Sequence, residues 1–136
     1  RGGEAASLSE LGVARGIVGE QDGALEAFRQ SLEILRDLGD RCGEAEVLNH
    51  WGALLRTSGD PTAGREHFEQ ALVLARDIRC PLEEARALEG IGRCDWTIDG
   101  PAQAEGMLRE AVTVYRQLGV SASADDVERL LVSQTG

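Results

Sequence analysis

The side chains best suited to hold a metal are two histidines, His50 and His67, and three cysteines, Cys42, Cys80 and Cys94. Metal sites draw their ligands from short spacings such as Cys-x-x-Cys or His-x-x-x-His, and none of the five has such a neighbour. Cys94 falls where the chain elsewhere carries Ala14 and Leu54, so it reads as a small core residue. The acid pairs Glu83-Glu84 and Asp125-Asp126 could perform acid–base work. Both stand where a helix begins, however, and the helix dipole explains them there. Gly90-Ile91-Gly92 lacks the strand-to-helix turn of a phosphate loop, and no nucleophile elbow or kinase motif set is present. The residues point to a non-enzyme with no catalytic, cofactor-binding or metal-binding positions.

Composition narrows the class further. The chain has 136 residues and a net charge of −10, and its 14 basic residues are all arginine. An acidic chain with dispersed arginines is a poor direct binder of nucleic acid, because phosphate contacts supply most of that affinity. No apolar run is long enough to span a membrane. A hydrophobic share of 42% argues against disorder. An odd cysteine count without a signal peptide favours a reduced, cytoplasmic setting. The opening Arg1-Gly2-Gly3, with no initiator methionine, reads as a piece of a longer protein. Arginine without any lysine, with abundant Ala, Gly and Asp, suggests a GC-rich genome. Seventeen glycines, about one residue in eight, call for a structural reason.

That reason is a repeat. A shift of 40 residues brings Gly12 onto Gly52 and Gly92, Leu8 onto Leu48 and Leu88, and Ala5 onto Ala45 and Ala85. The same shift brings Phe28 onto Phe68 and Leu108, with no gap. Within a unit, Leu48, Trp51, Gly52 and Leu55 fall on one helical face, and Phe68, Ala71, Leu72 and Ala75 on another. Turn residues separate the two helices: Gly19-Glu20-Gln21, Gly59-Asp60-Pro61 and Asp99-Gly100-Pro101. Asp60 suits an N-cap and Pro61 and Pro101 the first helical position. Gly39 and Gly119 suit left-handed helix ends. The spacing predicts an all-α chain of three helix-turn-helix pairs, about residues 4–39, 40–80 and 81–120. A capping helix over about 124–134 follows. All belong to one domain spanning 1–136.

These residues resemble a tetratricopeptide repeat (TPR) array. The first unit offers Leu8, Leu11-Gly12, Ala24, Phe28 and Ser31. The second offers Leu48, Trp51-Gly52, Gly64, Phe68 and Ala71, and the third Leu88, Ile91-Gly92, Ala104, Leu108 and Ala111. The period is 40 rather than the family's 34. The family's tyrosine after the glycine is replaced by Arg15, Leu55 and Asp95. The 40-residue variety is similar to the arrays of large bacterial transcriptional activators. The resemblance implies a right-handed α-solenoid in which stacked pairs bury a face no lone pair can bury.

It also implies a function. The first helix of each pair would line a concave groove holding a protein or peptide segment, which could be another domain of the same protein. The groove-facing stripe comprises Glu46, Asn49, Ala53 and Arg56 in the second unit and Arg86, Glu89, Arg93 and Trp96 in the third. The first unit contributes only Ala6, Ser9, Val13 and Gly16. Arg56, Arg86 and Arg93 would grip partner carboxylates. Asn49 would pair with a partner's backbone, and Trp96 would act as an anchor or tuck against the next turn. The resulting expectation is a non-catalytic interaction module of a transcription regulator, without cofactors. The alternative is a self-associating structural domain whose bland first unit meets another copy.

Overall fold

The computed structural model describes residues 2–133. Seven α-helices follow one another: α1 (Gly2–Ile17), α2 (Gln21–Leu38), α3 (Arg41–Thr57), α4 (Pro61–Asp77), α5 (Pro81–Asp99), α6 (Pro101–Leu118) and α7 (Ser121–Val132). There is no strand among the described residues. No helix is long and apolar enough to cross a membrane.

The helix boundaries follow from local chemistry. The carboxylates of Asp40 and Asp60 accept the backbone N–H groups of Gly43 and Ala63 at 2.9 and 3.2 Å, satisfying donors that the helix itself cannot. Pro61, Pro81 and Pro101 each occupy the first helical turn. At the end of α2, Gly39 adopts φ +70°, its N–H donates to the Arg36 carbonyl, and the next N–H, that of Asp40, donates to Leu35. This crossed pair of bonds requires a left-handed residue, for which glycine is the cheapest. The middle unit ends on Arg79 instead, at φ +56°.

Helices pair as α1 with α2, α3 with α4, and α5 with α6; α2 lies on α3, α4 on α5, and α7 covers α6. The core runs unbroken through the stack, with Ala5, Ala45 and Ala85 fully buried and Phe28 and Phe68 filling the space between pairs. The fold is an all-α solenoid of the tetratricopeptide kind. At the heart of the second pair a Cβ on Gly64 would come 2.8 Å from the Gly52 carbonyl oxygen, so only glycine permits that backbone approach.

Two expectations need correction. The capping helix begins at Ser121 rather than near Ala124, because Ala124 and Val127 must both turn inward to close the third pair and are fully buried. Its expected end at 134 lies outside the described residues. The cysteines are also not all reduced: Cys42 and Cys80 form a disulfide with Cα atoms 6.1 Å apart. The repeat causes this, since it brings the N-terminus of α3 beside the residue that precedes α5. Cys94 is buried and free, and burial pushes its thiol pKa up to about 11.

Candidate partner-binding groove

The first helices α1, α3 and α5 lie side by side, and the stripe expected to face a partner sits on them. Six of its members, Asn49, Ala53, Arg56, Arg86, Glu89 and Arg93, line one depression between α3 and α5 with a volume of about 230 Å³. Glu46 is exposed and belongs to a neighbouring depression between α1 and α3, beside Ser9, Glu10 and His50. Trp96 is half-buried against the core and does not line the depression.

Most of these polar groups are already engaged. Asn49 is buried, and its Nδ2 donates to the Glu83 carbonyl at 3.0 Å and to Glu83 Oε1 at 3.1 Å. The amide assigned to a partner's backbone thus ties α3 to α5 instead. Its Oδ1 is buried without a hydrogen-bond partner among the described residues. Glu83, only 3% exposed, takes a second donor from Arg86 Nη1 at 2.7 Å. Glu89 accepts from Arg93 Nε at 2.7 Å on one oxygen and from the Tyr115 hydroxyl at 2.8 Å on the other. Burial, reinforced by the Glu89 carboxylate, drives the Tyr115 pKa far above its ordinary value, so this hydroxyl remains a donor at any physiological pH.

Arg56 is the exception. It is half-buried, and among the described residues no carboxylate pairs with it. Burial and the neighbouring Arg93 hold its pKa below the usual guanidinium range, yet a guanidinium stays charged in a protein. The groove floor therefore carries a cation whose desolvation only the more distant Glu89 carboxylate partly offsets, with no ion-paired carboxylate of its own among the described residues.

Two groove residues escaped the sequence reading. His50 was weighed only as a metal ligand. It lines the depressions on both sides of α3 and lies near-parallel to Phe28, ring centroids 6.4 Å apart. The available signal was the register, which aligns His50 with Gly90. Tyr115 had no such signal, because its equivalents are Leu35 and Ala75. Among the described residues no three His, Cys, Asp or Glu side chains converge as a metal would require.

Two helices per unit, stacked pairs and glycines at the helix crossings are the marks of one architecture, and the tetratricopeptide repeat model matches residues 43–117, more than half the chain. The chain belongs to the tetratricopeptide repeat family. TPR arrays generally mediate protein–protein interaction. The TPR match begins in α3 and ends in α6, so it spans the two units that enclose the arginine-lined depression. No curated protein matches the sequence.

Proposed function

We propose that the chain is a non-catalytic interaction module whose concave groove holds a protein segment carrying a carboxylate. Arg56 carries this reading: a half-buried cation without an acidic partner of its own, on the floor of a depression open to a ligand. Arg93 beside it widens the positive patch, while its bond to Glu89 fixes its position. A bidentate guanidinium–carboxylate pair formed here is a charge-assisted contact in a partly dry site, where such contacts are strongest. The 40-residue period favours a setting inside a larger bacterial transcription regulator, with the segment supplied by another domain of that protein or by a separate one. The test is selection of peptides from a displayed random library. Acidic peptides should dominate the selected pool, and Arg56→Glu should abolish their capture. Selection indifferent to both acid content and Arg56→Glu sinks the reading.

The second reading, self-association, rests on α1. Leu11 and Ile17 are 40% and 81% exposed there, whereas the counterparts of Leu11, Trp51 and Ile91, pack into the core. A monomer at every concentration in light scattering removes it.

A further inference from the structure

The 40-residue repeat builds the same seat twice along the groove, once between α1 and α3 and once between α3 and α5. In the second seat the register positions are held by Arg56, Arg93 and Gly90. In the first they are held by Gly16, Ala53 and His50. The two seats differ in chemistry. Gly90 leaves room for Phe68, and the arginines give the second seat, a depression of about 230 Å³, a cationic lining. His50 keeps a ring where Gly90 has none, and Gly16 and Ala53 supply almost no side chain, so a wedge of about 190 Å³ stays open. Its walls include Val13, Ile17 and Leu54. A dry cavity of about 150 Å³ accepts a benzene ring, so this wedge has room for one bulky apolar side chain. His50 and Ala53 border both seats, which makes them adjacent subsites of one groove.

We infer that the groove reads a two-residue signature, in which a bulky apolar side chain enters the α1–α3 wedge and a carboxylate reaches Arg56 in the α3–α5 seat. This rests on the groove-binding reading above and adds to it the chemistry of the partner. The occupant is set by charge complementarity: the cationic seat has a guanidinium without an ion-paired carboxylate, and the seat one repeat away offers mostly apolar walls, an imidazole and a threonine whose hydroxyl is bonded to its own helix. Neighbouring packed helices lie about 9 Å apart. An extended segment advances about 3.3 Å per residue. The apolar and acidic residues of the partner therefore stand about three positions apart, in an extended rather than helical segment.

The experiment measures binding of synthetic peptides containing Leu-x-x-Glu, Ala-x-x-Glu and Glu-x-x-Glu, each in both chain orders, by fluorescence anisotropy on the whole chain. Leucine should bind at least about tenfold tighter than alanine, the effect of burying one large aliphatic side chain. Gly16→Arg gives the first seat the residue of the second. Arginine is the better helix former, it suits the last turn of α1, and its Cβ would press only on the flexible end of Leu54 at 3.0 Å. It should erase the leucine preference and favour Glu-x-x-Glu. Arg56→Gln should erase the acid preference and keep the leucine preference. Equal affinity for Leu and Ala peptides, or a leucine preference that survives Gly16→Arg, overturns the inference while acid dependence on Arg56 leaves the groove reading standing. Loss of acid dependence as well overturns both. Sedimentation of the free chain reports the remaining occupant: a dimer that Gly16→Arg dissociates would show that a second copy fills the wedge, and overturns the assignment to a partner segment.

Discussion

The two seams between helix pairs share a register and differ in almost every fastening. At the seam joining the second pair to the third, Phe68 lies over Gly90, Asn49 bonds to Glu83, and Arg65 Nε donates to the buried Asp95 at 2.6 Å. The Cys42–Cys80 disulfide closes one end of it. At the seam joining the first pair to the second, Phe28 faces His50 and Trp51, while the Arg36–Glu44 pair at 3.3 Å is a fastening the other seam repeats as Arg76–Glu84 at 3.1 Å. Gly2 and Asp40 stand in the register of the disulfide. As a result, α4 runs along α5 far more closely than α2 runs along α3. The lesson is that a solenoid can keep its period and still grade its stiffness along its length. The tightly packed seam sets positioned charges around its depression, and the loosely packed one a mostly apolar wedge.

The hardest test of the contrast is to empty each seam in turn. Phe68→Ala should cost about 3–5 kcal/mol, the usual range for a buried phenylalanine. Phe28→Ala should fall at or below the lower end, because the α2 and α3 helices it joins pack less closely than α4 and α5. Chemical denaturation of both variants checks this, and equal losses would erase the distinction.

Next in size is the disulfide. Closing a loop of this length, the two cysteines being 38 positions apart, restricts the unfolded chain by up to about 4 kcal/mol, and measured values cluster at about 2–4. A reductant should lower the unfolding midpoint of the wild type by that amount. The paired change Cys42→Ser and Cys80→Ser should start at the lower midpoint and show no response to reductant. A response in the double variant would assign the effect elsewhere.

Gly90→Ala probes the feature that makes the second seam tight. Its Cβ would overlap two carbons of the Phe68 ring, Cδ1 and Cε1, a buried and inflexible neighbour, so overpacking should cost about 1–3 kcal/mol despite alanine's better helix propensity. At the first seam His50→Ala should cost less, since its surroundings are half open. The sign of the difference in thermal midpoint decides the matter.

The reach of the sequence follows the same division. Helices, turns and the apolar core were legible because a 40-residue self-match repeats every packing residue in place. Gly12, Gly52, Phe28 and Phe68 announce the same contact more than once. The groove was legible as a stripe, and six of the eight residues named for it in the second and third units do meet in one depression. Their engagement was not legible. That Asn49 turns inward to Glu83, that Glu89 is claimed by Arg93 and Tyr115, and that Arg56 alone is left over depend on which side chains face across a seam, and periodicity does not encode that. The disulfide was hidden for another reason. Cys42 and Cys80 are far apart in sequence and lie near the same point of successive periods, a proximity visible only once the units are stacked.

The smallest effect isolates His50, the residue that keeps the first seam open. Burial lowers its pKa below the ordinary 6.5, and Arg86 pushes the same way. Glu46 on its own helix and Glu83 on α5 oppose them, and Glu10 of α1 borders the same depression. The unfolded chain, with the higher pKa, takes up the proton first as the solution is acidified. The native state therefore has its full stability above about pH 6.5 and loses it as pH falls through the lowered native value. His50→Gln should remove that component of the slope between about pH 7.5 and 5, while Phe68→Ala, a change at the other seam, should retain it. A protonated imidazole at the mouth of the wedge also disfavours an apolar guest, so the leucine preference should fade over the same interval. A leucine preference independent of pH, or an unchanged stability slope in His50→Gln, would remove His50 from control of the cleft.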